Sequence, residues 1–146
     1  MADVADDADR LARACRDAMY AGDRATRALG IEVLEVRPGH ASARMTVTED
    51  MLNGHAMCHG GYLFLLADTA FAYACNTYGP VTVASAADIV FTAPAGAGDE
   101  LVAEAQERSR FGRSGVYDAT VRRSEDSRVI AEFRGVSRTT PATLAE

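Results

Sequence analysis

The chain has 146 residues and a mass of 15.5 kDa, which suits one compact domain and excludes two ordinary ones. Its 48% hydrophobic and 25% charged residues match the globular average and exclude a disordered, collagenous or disulfide-stapled chain. The formal net charge of −6, from 21 acidic residues against 15 arginines and no lysine, excludes the basic excess typical of nucleic-acid binders.

In chain order, Met1 to Asp9 carries aspartates and no apolar core of a signal peptide, so no leader is expected. Val4, Ala8, Leu11, Ala12, Cys15, Ala18 and Met19 recur at three- and four-residue spacings. They predict an amphipathic helix over about Val4 to Ala21, with its aspartates at the favourable end of the dipole. It is expected to pack on the outside, as an N-terminal unit spanning 1–27 ahead of a main domain spanning 28–140. Leu29 to Val36 and Ala41 to Val47 alternate apolar and polar residues around Pro38-Gly39, which predicts a hairpin. Thr48 to His59 has little periodicity and reads as a loop long enough to line a site.

Gly60 to about Thr77 is apolar around nearly its whole helical circumference, which predicts a helix buried on every side. Its apolar run, Tyr62 to Cys75, is interrupted by Asp68 and falls short of the ~20 residues a bilayer requires, so no membrane span is expected. After Gly79-Pro80, four strands are expected at about Val81 to Phe91, Glu100 to Phe111, Gly115 to Arg123 and Arg128 to Thr139, meandering as antiparallel neighbours. No repeat or linker interrupts them. The fold class is α+β: an antiparallel sheet of about six strands wrapped around a long central helix, with an extra N-terminal helix.

Asp68 is the sharpest chemical signal, because a carboxylate inside an apolar helix carries a desolvation cost. Either it does chemistry, or it binds a backbone amide or an arginine. At His59-Gly60-Gly61 the loop enters the helix, where first-turn N–H groups lack partners and glycine admits close approach, a candidate oxyanion site or simply a flexible turn. Gly60 and Asp68 are eight residues apart, about 12 Å along one helix, too far to address one carbonyl carbon. If both act, they come from two chains of a two-fold dimer whose central helices run antiparallel.

Asn53, before Gly54, is either a turn former or an amide in the site. His55, Cys58 and His59 form an H-x-x-C-H pattern without a suitably spaced fourth ligand, so no metal is expected. His59 reads as an orienting or satisfied loop histidine, and Cys58 and Cys75 as small apolar fillers. With Cys15 they make three scattered cysteines, which fits reduced thiols in the cytoplasm. Tyr62, Phe64, Phe71 and Tyr73 read mainly as core, with one or two available to an acyl pocket. No G-x-S-x-G, P-loop or G-x-G-x-x-G appears, against serine hydrolase, NTPase and dinucleotide chemistry. Glu107 to Arg138 holds eight arginines against five acidic residues. Arg108, Arg110 and Arg113 beside Phe111-Gly112 either grip an anionic ligand or form a solvated edge.

Asn53-Gly-His-Ala-Met-Cys-His59-Gly60-Gly61, followed by Leu66-Ala67-Asp68-Thr69-Ala70-Phe71-Ala72 and then Asn76, closely resembles the hotdog-fold acyl-CoA thioesterases of the phenylacetate (PaaI-type) branch. The likeness runs from about Leu29 to Arg138 and includes Tyr117-Asp118 and Glu132-Phe133-Arg134-Gly135. It implies the same wrapped helix, homodimers that pair into homotetramers, and hydrolysis of acyl-CoA thioesters without a metal or redox cofactor. It gives Asp68 the role of nucleophile or general base, Gly60 the N–H that polarises the thioester carbonyl, and Asn53 a place beside the attacked group. It implies that His59 orients the loop, that Gly61 and Thr69 meet the substrate, and that Arg110 and Arg113 meet the CoA phosphates. The expected substrate is phenylacetyl-CoA or a ring-hydroxylated form. Rivals are broader or aliphatic specificity, a hydratase, and an acyl-CoA-binding module without turnover.

Overall fold

The structure is a computed structural model that describes residues 3–146. Met1 and Ala2, with which the N-terminal unit was expected to begin, lie outside the described residues. Helix α1 (Val4–Gly22) starts where the Asp3 side chain accepts the Ala5 N–H, and Asp6 and Asp7 occupy its first turn. It buries Ala12 and Cys15 and lies against the first strand, β1 (Glu32–Arg37). A second short helix, α2 (Arg24–Ala28), follows where the sequence pattern is silent. Asp23 caps it, accepting the Thr26 N–H at 3.2 Å and the Thr26 hydroxyl at 2.7 Å.

Strands β1 (Glu32–Arg37) and β2 (His40–Thr46) form the expected hairpin about Pro38-Gly39. Gly39 is required there: its φ is +71°, and a Cβ would lie 2.9 Å from the Tyr78 hydroxyl oxygen. Helix α3 (Gly60–Cys75) comes next, then β3 (Pro80–Phe91), β4 (Glu100–Phe111), β5 (Ser114–Arg123) and β6 (Val129–Thr143). All six strands join one antiparallel sheet in the order β1-β2-β4-β5-β6-β3.

That order corrects the simple meander. β3 does not pair with β4; it is the far edge, beside β6, and the connection through 92–99 carries the chain across to β2. Asn76 helps direct β3 to that edge. Its Nδ2 donates to the Ala72 and Thr82 carbonyls, and its Oδ1 accepts the Thr82 N–H, each at 2.8 Å. One side chain thus stops α3 and starts the strand.

The sheet wraps α3 closely because the facing residues are small. Ala41, Ala43, Ala103, Ala105 and Ala119 are fully buried opposite Ala67, Ala70 and Ala74 of the helix. Phe71 fills the space over Gly135, where a Cβ would come within 2.8 Å of its ring, and meets Tyr117 edge-on at 5.6 Å. Burial of α3 on every side is corrected as well. Gly61, Leu65, Asp68 and Ala72, at helical spacings of four, three and four, form a stripe that the chain's own sheet leaves partly or wholly open.

Candidate active site

The loop before α3 is built by Asn53. Its side-chain oxygen accepts the backbone N–H groups of His55 at 2.9 Å and Met57 at 3.2 Å, and its own N–H reaches the Met57 carbonyl at 2.7 Å. The loop then docks through Cys58 N–H to the Ala95 carbonyl and His59 N–H to the Met51 carbonyl, both at 2.8 Å. Ala56 sits in the left-handed region at φ +58°, backbone strain of a kind that gathers at functional loops. Asn53 is therefore the turn former and also a site candidate: its oxygen is committed to the loop, while its NH2 group has no acceptor among the described residues.

His59 caps α3, its Nδ1 accepting the Gly61 N–H at 2.9 Å. That bond leaves the ring's proton on Nε2 in the neutral imidazole. It also fixes which amide is free. The Gly61 N–H is taken by His59, whereas the Gly60 N–H has no acceptor among the described residues and stands at the positive end of a 16-residue helix. Gly61 therefore offers its small surface rather than its N–H.

Asp68 lies half-buried on the open stripe of α3, with no hydrogen-bond or ion-pair partner among the described residues. The bland alternative, a carboxylate spent on a backbone amide or an arginine, is not what the structure contains. Burial raises its carboxyl above the ordinary value of 3.8, and no neighbouring charge offsets that. Thr69 beside it is buried. The thiols stay protonated: burial pushes Cys58 to about 11 and Cys75 to about 12. Among the described residues no group of three or more His, Cys, Asp and Glu is placed to hold a metal ion.

A largely apolar cavity of about 430 Å³ opens at the N-terminus of α3, lined by Asn53, Met57, Cys58, Gly60, Leu63, Phe91 and the start of the following turn, Thr92 to Pro94. No sequence pattern marks Phe91, because the residue it touches, Gly60, is distant in sequence. Arg110 and Arg113 are elsewhere. They line a second cavity of about 350 Å³ with Cys75, at the other end of α3, about 22 Å from Gly60 of the same chain. Arg110 stacks on Tyr78 at 3.7 Å and pairs with Glu107 at 3.2 Å, and Glu107 also accepts the hydroxyls of Tyr78 and Tyr117. Arg113 has no carboxylate partner among the described residues.

A wider recess of about 630 Å³ lies on the outer face of the sheet. There Asp118 binds Arg134 through two hydrogen bonds and Arg108 through one, which holds its carboxyl below the usual range. Arg108 and Arg134 are thus held together on the outer face of the sheet by one carboxylate.

A six-stranded sheet around a helix that presents a free amide at its start and an unpaired carboxylate two turns on defines the class of the thioesterase superfamily, whose family model matches residues 55–130. Over 127 residues the chain is 49% identical to the Escherichia coli (strain K12) acyl-coenzyme A thioesterase PaaI, covering 87% of this chain and 90% of that one. The solved structure of the E. coli PaaI protein from the phenylacetic acid degradation operon superposes with a TM-score of 0.89 at 47% identity, covering 92% of this chain and 97% of that one. A mutant of the phenylacetic acid degradation protein PaaI from Thermus thermophilus superposes with a TM-score of 0.77 at 36% identity, covering 81% and 100%. The chain belongs to the hotdog-fold acyl-CoA thioesterases of the PaaI type and is a thioester hydrolase.

Proposed function

We propose that this enzyme hydrolyses phenylacetyl-CoA or hydroxyphenylacetyl-CoA to the free acid and CoA, releasing CoA trapped during aromatic catabolism. The observation that carries the reading is the unpaired Asp68 carboxylate on the open stripe of α3, together with the free Gly60 N–H on the same helix. Eight residues separate them by about 12 Å, so one thioester cannot meet both within one chain. A homodimer with antiparallel α3 helices sets Gly60 of one chain against Asp68 of the other, forming two equivalent sites. The uncovered stripe supports this, as does β3, a long edge strand with Val83 49% and Val90 59% exposed. The pairing of such dimers into homotetramers is carried over from the family resemblance.

In this site the thioester oxygen accepts the Gly60 N–H, which stabilises the charge that develops on it. Asp68 of the other chain then either attacks the carbonyl carbon, giving a mixed anhydride that water opens, or takes the proton of an attacking water. In both routes the C–S bond breaks and CoA leaves as its thiolate. The Asn53 NH2 lies on the cavity beside the reacting group, His59 holds the loop, and Gly61 and Thr69 flank the acyl chain. In the antiparallel dimer the partner's Cys75 end extends about 10 Å beyond its Asp68. That brings the partner's Arg110 and Arg113 toward the CoA phosphates. No metal or other cofactor enters these steps. The three cysteines are free and buried, which supports a cytoplasmic setting, and among the described residues no helix is long and apolar enough to cross a membrane.

Thiol release from phenylacetyl-, hydroxyphenylacetyl-, benzoyl- and straight-chain acyl-CoA tests the reading. A clear lead for the phenylacetyl substrates is expected. Equal rates across the panel would remove the aromatic assignment, and binding without any thiol release would leave an acyl-CoA-binding module.

A further inference from the structure

We infer that Phe91 is a specificity-determining residue: its ring is the wall against which the acyl group lies beside the Gly60 amide. The inference rests on the proposed thioesterase site and adds to it the group that reads the acyl chain. Phe91 ends the edge strand β3 and is 52% exposed, an unusual place for a large aromatic side chain unless something covers it.

The ring is nevertheless closely placed. A Cβ built on Gly60 would lie 2.7 Å from the Phe91 Cζ, with Cε1 at 3.1 Å and Cε2 at 3.3 Å, so the ring's leading edge rests on the Gly60 backbone. A methyl group at position 60 would force this ring to move. The ring in turn flanks an N–H that has no acceptor among the described residues. Leu63, Met57, Ala93 and Pro94 continue the same apolar wall around the 430 Å³ cavity.

The cavity's polar groups are few. The Thr92 hydroxyl is engaged with the Val129 carbonyl at 2.8 Å and the Cys58 thiol with the His59 carbonyl at 3.7 Å, which leaves the Asn53 NH2 and the Gly60 N–H. A pantetheine arm carries two amides that would need partners once desolvated, whereas a hydrocarbon or aromatic acyl group needs none. The chemistry of the lining thus fits the acyl end of the substrate. An aromatic acyl group also gains an offset or edge-on contact with Phe91 that an aliphatic chain does not.

Two measurements test this. Binding of phenylacetyl-CoA and hexanoyl-CoA is compared by calorimetry in Asp68→Asn protein, with and without Phe91→Leu. Phe91→Leu is expected to shrink the affinity ratio in favour of phenylacetyl-CoA by roughly 2- to 10-fold. Equal weakening of both ligands would assign the ring to the CoA arm and overturn the inference. Because this readout needs no turnover, failure of wild-type enzyme to hydrolyse phenylacetyl-CoA would count against the proposed function and not against Phe91. In the second test, thiol release is measured for Gly60→Ala and for Gly60→Ala/Phe91→Ala. Removing the ring should restore part of the activity lost to the added methyl group, and a double variant no better than Gly60→Ala would overturn the contact.

Discussion

Asp68 is a side chain kept at a cost, and the proposed chemistry rests on it. Desolvation raises its carboxyl above 3.8, so the folded state holds that proton more tightly than the unfolded chain does. The sign follows from linkage: the penalty is absent below the ordinary value, grows as pH rises through the raised one, and is complete above it. Asp68→Asn should therefore melt at a higher temperature than wild type at pH 7, with the difference fading by about pH 4. Its turnover should fall by about 10²- to 10⁴-fold. Melting curves at the two pH values, with thiol release at pH 7, check both halves. A variant less stable at pH 7 would mean that the carboxylate has a stabilising partner in the assembled enzyme. The wild-type kcat/KM should decline on the acid side at a pH above 3.8, where Asp68 takes up its proton.

At the scale of elements, the site depends on how α3 is held. Its N-terminus is fixed by the His59 cap and the Asn53 loop, and its C-terminus by Asn76. Its middle lies against a bed of alanines in which extra volume has no place to go. The N-terminal helices fasten it from a fourth direction through Asp23, which caps α2 and also accepts the buried Tyr73 hydroxyl at 2.9 Å. Asp23→Ala loses the cap and leaves that hydroxyl without its partner, an expected cost of about 1–3 kcal/mol. Urea unfolding should show the loss while turnover per folded molecule holds. A comparable drop in turnover would tie the N-terminal helices to the site itself.

At the scale of the whole molecule, the two halves of the proposed chemistry sit on one helix yet cannot meet there. Asp68→Asn chains and Gly60→Ala chains, each impaired alone, should complement when mixed. A mixed dimer has one site with both an unmodified Gly60 and an Asp68, so random assortment should recover about a quarter of wild-type activity. Thiol release on the mixture, with mixed dimers verified by native mass spectrometry, checks this. No recovery in verified mixed dimers would contradict the shared site.

The sequence by itself determined what is local. Alternation around Pro38-Gly39 marked the β1–β2 hairpin, apolar residues at helical spacing marked α1 and α3, and the later strands fell within a few residues of their observed bounds. Asn53, His59, Gly60 and Asp68 stood out as candidates for the same reason: a turn, a loop histidine, a glycine at a helix entry and a carboxylate in an apolar helix each declare themselves within a few residues. Only the tertiary structure decided what depends on contacts between distant segments. Hydrophobic patterning marks a strand without naming its neighbour, so the pairing of β3 with β6 was hidden. An apolar circumference does not say which stripe the sheet leaves open, so the exposure of Asp68 was hidden too. The Gly61 N–H proved to be taken and the Gly60 N–H free because a histidine ring turned back on its own helix. Phe91 came to rest on Gly60 because a strand at the far edge of the sheet ends beside the start of α3.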